Sequence, residues 1–315
     1  MSHIRPILRH APPHEVPVSL LRVLRLVDDR PVLINDPHTG IPQPALSRLL
    51  SASESLLGIE LFERSRSGSQ ITERGERVLK QAAFALRALN GVSENARDSL
   101  PVIRLGCIPR VMHVLIPHLL AHLGNAKANF RLQVSVGTSN EMAAELETAR
   151  LDFVIARRAA PGTGGGSEIE AENLYSEKTV VVCGRLNKSA PARACALAQL
   201  AGLPWVMPKR GFYSRDSLDA LFSAAGLPPI VPVIECDSFE SNLSVVAATK
   251  FITMAPGFAA RRFERLRLVR ILRTKPSLGS SPVMLQYRPG QEWHPAFSAF
   301  RAAALKAARL VGSAR

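Results

Sequence analysis

The stretch "IPQPALSRLLSASESLLGIELFERSRSGSQITERGERVL", residues 41–79, decides how the rest of the chain is read. It opens with Pro42 and Pro44 in front of a run with helical spacing. Pro44 costs nothing there, because N–H groups in the first turn of a helix lack acceptors in any case. The spacing predicts a helix from Gln43 that buries Ala45, Leu46, Leu49, Leu50, Ser53 and Leu57 and ends at Gly58 as its C-cap. Its other face carries Pro44, Ser47, Arg48, Ser51 and Ser55. Two short β-like runs follow around a polar, glycine-containing turn, with Arg64 and Arg66 near the tip, which reads as a hairpin wing. Thr72 is a good N-cap for a long helix from Glu73 to about Ser99.

That helix sets Val78, Ala82, Ala85, Leu89, Val92 and Ala96 at spacings of 4, 3, 4, 3 and 4, a heptad stripe rich in small residues. On a helix leading out of a small unit, such a stripe predicts a paired linker. A lone helix packed on its own domain is the alternative, because the stripe spans under three heptads.

Upstream, residues 19–30 place Leu20, Val23, Leu24 and Val27 on one face and Arg22 and Arg25 opposite, an amphipathic helix. The next segment, "PVLINDP", begins with Pro31 in a favourable position but meets Pro37, so it makes two turns at most. Downstream, from Pro101, strands alternate with helices: "VIRLGCI", a helix over 110–124, "RLQVSV", a helix over 140–149, and "LDFVIA". That is βαβαβ, a parallel sheet with covering helices. After the glycine-rich "PGTGGGSE" (161–168) comes a second series: "KTVVVC", a helix over 196–202, "PWVMP", a helix over 214–225, "VPVIEC", a helix over 238–248, and "FITMA". "LRLVRIL" and "VMLQY" read as strands and 294–311 as a closing helix. Two similar α/β lobes with a cleft between them is the economical arrangement, with ligand beyond the carboxyl ends of the strands.

At 315 residues and 46% hydrophobic content the chain can build two or three domains with proper cores. No apolar run approaches the ~18 residues of a membrane span, and residues 1–17 are basic and proline-broken without a signal-peptide core. The expectation is a cytoplasmic protein with a disordered tail over 1–18. Cys107, Cys183, Cys195 and Cys236 lie far apart with no CxxC pair, so reduced thiols are expected rather than a zinc site or a disulfide framework. The formal net charge is +14, but residues 1–98 hold 13 Lys and Arg against 11 Asp and Glu. The excess lies further along, so a nucleic-acid role for the front third rests on pattern and geometry rather than on bulk charge.

The ordered set Gln43-Pro44-Ala45-Leu46-Ser47, Leu57-Gly58, Leu61-Phe62, Arg64, Ile71-Thr72 and Gly75 resembles the N-terminal winged helix-turn-helix of LysR-type transcriptional regulators. The similarity extends to the linker helix and to "GTSNEMAAELETARLDFVIA", which looks like that family's first effector-domain lobe. The resemblance implies a multidomain chain: a winged helix-turn-helix over 19–75, a linker and dimerisation helix over 76–100, and an effector domain over 101–311. That domain would have two Rossmann-like lobes of the type 2 periplasmic-binding-protein kind, lobe I about 101–167 and 268–311, lobe II about 168–267. It implies a homo-oligomer, dimer or tetramer, on double-stranded promoter DNA, with a small-molecule effector and room for RNA polymerase as a further partner. Gln43, Pro44, Ser47, Arg48, Ser51, Arg64 and Arg66 are then the DNA-binding candidates, since Gln and Arg at a helix start read adenine and guanine edges and a short hydroxyl reaches phosphate or base. Val78, Ala82, Ala85, Leu89 and Val92 are the dimerisation candidates.

By the same resemblance the effector sits between the lobes, touched by Pro109 and Arg110, by Thr138, Ser139 and Asn140, by Lys209, Arg210 and Phe212, and by Ser238. Hydroxyls and N–H groups at helix starts favour anions, and Arg110, Arg157, Lys209 and Arg210 suit a carboxylate. The expected effector is a carboxylic acid of the aromatic or sugar-acid kind, because the chain looks most like regulators of such catabolic operons. Other signals are weaker. The glycine-rich loop lacks the GK[ST] of a phosphate cradle. His118 and His122 stand i, i+4 without a third ligand nearby, so no metal and no cofactor is expected. The run Arg261, Arg262, Arg265, Arg267, Arg270, Arg273 and Lys275 reads either as a solvated face or as a contact to DNA or another subunit. No nucleophile, base and orienter come together, so an enzyme is not expected.

The chain departs from the family where Asn35 and Asp36, followed by Pro37, stand in place of an alanine pair in the first helix of the helix-turn-helix, and where Pro42 replaces the Ser or Thr that caps the reading helix, a loss of ~1 kcal/mol. A distorted supporting helix and weakened DNA affinity are expected. The alternative that follows is a cytoplasmic small-molecule-binding protein with DNA binding weakened by the altered second helix. A variant with Asn35→Ala, Asp36→Ala and Pro37→Glu should bind promoter DNA more tightly in a low-salt gel shift, and equal affinities would sink the idea.

Overall fold

The structure, a computed structural model, describes residues 43–65, 68–95, 100–125, 129–158, 169–191, 194–290 and 294–313. The expected tail, the helix over 19–30, Asn35, Asp36, Pro37, Pro42, Arg66, Ala96 and the loop over 161–168 lie outside those residues.

Helix α1 (Gln43–Leu57) begins at the Gln43-Pro44 pair. It ends at Gly58, whose φ of 66° is the left-handed conformation that a residue without Cβ adopts at low cost. Leu50 and Leu57 pack against the buried Leu61, and Arg48, Ser51 and Ser55 are exposed. Strands β1 (Phe62–Ser65) and β2 (Gly68–Ile71) form an antiparallel hairpin, Ser65 opposite Gly68. Glu54 ties the hairpin to α1, its Oε1 accepting the N–H of Leu61 at 2.8 Å and of Phe62 at 3.2 Å.

Thr72 starts α2 (Glu73–Asn95): its hydroxyl accepts the Gly75 N–H at 2.9 Å and donates to the Glu60 carbonyl at 2.8 Å. The helix then crosses Leu61 so closely that a Cβ on Gly75 would lie 2.3 Å from the Leu61 carbonyl oxygen. Along α2 the heptad stripe divides. Val78 and Ala82 pack with Leu79 and Leu61 inside the chain, Ala85 is half-buried, and Leu89 is 41% exposed. The buried line through Leu79, Ala82, Ala83 and Leu86 is rotated from the expected one and shares only Ala82 with it. The Val92 side chain lies outside the description.

The two-lobed part begins with β3 (Val102–Cys107), α3 (Pro109–Val114), α4 (Ile116–Asn125), β4 (Arg131–Val136), α5 (Ser139–Glu147) and β5 (Phe153–Ala156). Strand β3 pairs parallel with both β4 and β5, and β5 is buried throughout. The helix expected over 110–124 is two helices, because Pro117 lacks the N–H that would bond the His113 carbonyl. There follow β6 (Glu170–Gly184), β7 (Cys195–Ala196), α6 (Ala198–Ala201), β8 (Val206–Met207), α7 (Tyr213–Ala224), β9 (Ile234–Glu235), α8 (Phe239–Ala248) and β10 (Ile252–Pro256). The chain closes with α9 (Gly257–Arg265), β11 (Val269–Leu272), β12 (Thr274–Lys275), β13 (Ser280–Tyr287) and α10 (Pro295–Ser313).

Strand β6 belongs to both lobes. Residues 170–178 pair antiparallel with β13, which pairs antiparallel with β5; residues 179–183 pair with β10, and residues 181–184 with β11. The expected lobe limits therefore shift. Residues 170–178 lie in the sheet of lobe I rather than lobe II, and 269–272 in the sheet of lobe II rather than lobe I. No turn interrupts the fifteen residues of β6, so nothing local marks the change.

Lobe I is centred on Phe153, whose ring centroid is 4.1 Å from that of Phe297 and 4.5 Å from that of Phe300 on α10. Lobe II is built around Trp205, Leu218 and Phe222, with the Trp205 Nε1–H donated to the Leu200 carbonyl at 3.0 Å. Arg301 on α10 grips Glu172 on β6 at 2.7 and 3.0 Å, and the Tyr287 hydroxyl donates to the same carboxylate at 2.9 Å. The Arg301 hydrogen bonds hold the Glu172 carboxyl below the usual carboxylate range.

Two outcomes follow for stability. Gly75→Ala should cost about 1–3 kcal/mol in chemical denaturation, since backbone must move to admit the methyl. The Glu172 contribution is present above its unfolded pKa of about 4.3 and is lost as pH falls through its lowered folded value. Arg301→Met should therefore lower the melting temperature at pH 7 by a few degrees and narrow the gap in melting temperature between pH 7 and pH 3.

Candidate functional site

A cavity of about 440 Å³ opens between the lobes at the carboxyl ends of β3 and β4. Three backbone junctions bound it: Ile108–Arg110 after β3, Gly137–Asn140 after β4, and Gly211–Ser214 at the start of α7. Placing them together requires only that parallel strands end side by side and that each hands over to a helix. At the β4 junction Thr138 and Glu141 form a reciprocal cap, the Thr138 N–H donating to Glu141 at 2.7 Å and the Glu141 N–H to the Thr138 hydroxyl at 3.2 Å. These bonds to Thr138 hold the Glu141 carboxyl low. His113 on α3 faces lobe II, its Nδ1 3.5 Å from Glu240 and its ring 5.6 Å from Phe239.

Arg110 and Arg157 both line this cavity and are 7% and 8% exposed. Arg157 follows β5. Its Nε donates to the Ser281 hydroxyl at 2.8 Å, and its guanidinium lies 4.4 Å from the centre of the Tyr213 ring. Its Nη2 is enclosed and makes no hydrogen bond. Burial, and after it the positive charge of Arg110, draws Arg157 down to about 9. Three guanidinium groups, of Arg110, Arg157 and Arg158, and two carboxylates, of Asp216 and Asp237, line the site.

Of the expected effector residues, Pro109, Arg110, Thr138, Ser139, Asn140, Arg157 and Phe212 line the cavity. Lys209, Arg210 and Ser238 are not in its lining. Lys209 pairs with Asp237 at 3.0 Å and is 64% exposed, Arg210 approaches Asp219 at 3.8 Å and is 72% exposed, and the Ser238 hydroxyl accepts the Ser241 N–H at the start of α8. Basic residues at the outer side of a turn reach water and a surface carboxylate sooner than they reach an interior.

Sequence reasoning missed Tyr213 and Asn242, which line the cavity, and Arg215, which supports it. Arg215 is 2% exposed and donates to the carbonyls of Pro208 at 3.2 Å and Ile230 at 3.1 Å and to Asp219 at 2.9 Å, fixing the turn before α7. The signal available was its i, i+4 spacing to Asp219.

At the other end, Arg48 and Ser51 stand exposed on α1, and Gln43, Pro44 and Ser47 lie in its first turns with side chains outside the description. Arg64 is in β1, its side chain likewise not described. Among the described residues no group of three or more His, Cys, Asp or Glu could hold a metal, and no helix is long and apolar enough to cross a membrane.

A helix and hairpin that expose Arg48 and Ser51, joined by α2 to two lobes around a cavity with buried cations, define a transcriptional regulator with an effector-binding domain. Residues 38–76 match the family described as bacterial regulatory helix-turn-helix protein, lysR family, and residues 97–309 match the LysR substrate binding domain. The second match covers well over half of the chain, and the protein belongs to the LysR family. It is 29% identical over 226 residues to the uncharacterized HTH-type transcriptional regulator YdcI of Escherichia coli, a match spanning 70% of this chain and 73% of YdcI. Its fold is that of a full-length OxyR variant from Pseudomonas aeruginosa, with a TM-score of 0.63 at 20% identity over 95% of this chain and 97% of that one. It is also that of the effector-binding domain of QuiR in complex with shikimate, with a TM-score of 0.57 at 17% identity over 67% of this chain and 99% of that one.

Proposed function

We propose that this regulator binds a small carboxylate between its lobes and that occupancy of the cleft sets its hold on promoter DNA. The observation that carries this is the pair Arg110 and Arg157, buried on one cavity, with an Arg157 Nη2 that makes no hydrogen bond. A buried N–H group without an acceptor loses hydration and gains nothing in return, and a carboxylate offers it the missing acceptor. The cavity volume of about 440 Å³ suits a monocyclic or six-carbon acid. QuiR, with the same fold, is in complex with shikimate, itself a carboxylate.

In this reading residues 19–75 bind DNA, 76–100 link and pair two copies, and 101–311 bind effector, in a cytoplasmic homo-oligomer that meets RNA polymerase at the promoter. Gln43, Pro44, Ser47, Arg48 and Ser51 on α1 face the major groove, where Arg reads guanine and Gln reads adenine, and Arg64 and Arg66 on the hairpin meet flanking phosphate. Exposed Leu89 carries the pairing stripe outward along α2. The match of the helix-turn-helix family to residues 38–76 favours a working DNA-binding unit over a small-molecule carrier.

Calorimetric titration with benzoate, shikimate and gluconate tests the anion site. Arg157→Leu and Arg110→Leu should each weaken the best of these acids by about 10- to 100-fold, the worth of hydrogen bonds to a charged group. Lys209→Gln and Arg210→Gln should change it less than about threefold, as for exposed ion pairs. Equal losses in all four variants, or no binding of any acid by the wild type, would overturn the assignment.

A further inference from the structure

An unmet polar atom also stands in the wall of the cavity on the opposite lobe. Asn242 on α8 lines the cavity and is 1% exposed. Its Nδ2 donates to the Cys236 carbonyl at 2.9 Å, which fixes the amide the right way round, since the reversed amide would set two oxygens against each other. The Oδ1 is left enclosed with no hydrogen-bond partner. It is an acceptor and needs a donor. The lobe II lining shared with it includes Thr179, Tyr213 and Ser214, none of whose hydroxyls reaches the Asn242 Oδ1, and Phe239, Met254 and Ala255, whose side chains have no N–H or O–H to give.

We infer that Asn242 reads a hydroxyl on the effector, so that the ligand class is a hydroxylated carboxylate, its acid on Arg110 and Arg157 of lobe I and its hydroxyl on the Asn242 Oδ1 of lobe II; this rests on the carboxylate reading above. The chemistry is one of opposites. Arg157 has a spare donor and Asn242 a spare acceptor, and one small molecule with an acceptor at one end and a donor at the other satisfies both. Such a ligand bonds to both lobes at once. A deoxy acid of the same shape would leave the Asn242 oxygen buried and unpaired, and sites built to bond a hydroxyl reject analogues that lack it.

The test uses matched acids on the full-length protein: benzoate against 3- and 4-hydroxybenzoate, cyclohexanecarboxylate against shikimate and quinate, and hexanoate against gluconate, with Kd from calorimetric titration. In the wild type at least one hydroxylated acid should bind about tenfold or more tightly than its deoxy partner. In Asn242→Leu, which keeps the branched shape and removes the acceptor together with the donor to the Cys236 carbonyl, that preference should fall to within about threefold while the deoxy acid keeps its affinity. Asn242→Ala serves the same purpose if the leucine variant fails to fold. Because the readout is a ratio between two ligands, a merely structural role for Asn242 would not move it. Wild-type protein that binds deoxy and hydroxy acids equally, or a preference that survives in the variants, overturns the hydroxyl assignment and leaves the carboxylate site standing. Binding of no acid at all overturns both.

Discussion

One strand has to serve two sheets. Strand β6 gives residues 170–178 to one lobe and 179–184 to the other, and every feature of the cleft is placed relative to that shared ladder. Thr179, the first residue beyond the change, is itself in the cavity wall. Because the backbone hydrogen bonds run on without a turn, the lobes are joined by paired strands rather than by loose linkers. A second crossing, from β12 to β13, returns the chain to lobe I, and Arg301 then locks the closing helix back onto Glu172 of the same shared strand.

Within this frame the cleft collects groups that the interior would otherwise disfavour. Arg110, Arg157 and Asn242 are brought to a single cavity, and two of them are oriented by a neighbour that uses part of their bonding capacity: Ser281 for Arg157 and the Cys236 carbonyl for Asn242. Arg215 does a different job from the lobe II core. Its bonds to the Pro208 and Ile230 carbonyls satisfy backbone groups that would otherwise be buried and bare, and so set where the turn before α7 runs. Its own charge is met by Asp219.

Much of the fold is legible in the sequence, because periodicity and punctuation are local. The helix start at Gln43-Pro44, its stop at Gly58, the cap at Thr72 and the alternation from Pro101 onward all rest on residues within one turn of each other. What was not legible depended on three dimensions. The shared strand was invisible because both halves of β6 look alike as extended chain. The break at Pro117 was written in the sequence, but it was overlooked in favour of the apolar spacing around it. Gly75 reads as an ordinary helical glycine until the Leu61 carbonyl is seen beneath it. In the cleft, the residues at strand ends were found through family resemblance, whereas Lys209 and Arg210 looked just as suitable and only their surface carboxylates tell them apart from Arg110 and Arg157. Asn242 carried no signal, since an asparagine inside an amphipathic helix is commonplace.

Helix α5 has a cavity-lining residue at one end and a charged one at the other. Thr138, its N-cap, borders the cleft, and Glu147, its last residue, lies 3.3 Å from Lys80 on the linker helix α2. Lys80 in turn holds Glu76 at 3.1 Å, one turn back on α2. Nine residues of helix span only about 13 Å, and a hydrogen-bonded helix hardly shortens or lengthens along its axis. Lys80 and Glu147 stand 67 residues apart in the chain, yet a single stiff rod joins the wall of the cleft to the stem that carries the DNA-binding unit. The chain has thus put its cleft and its stem at the two ends of one nine-residue helix.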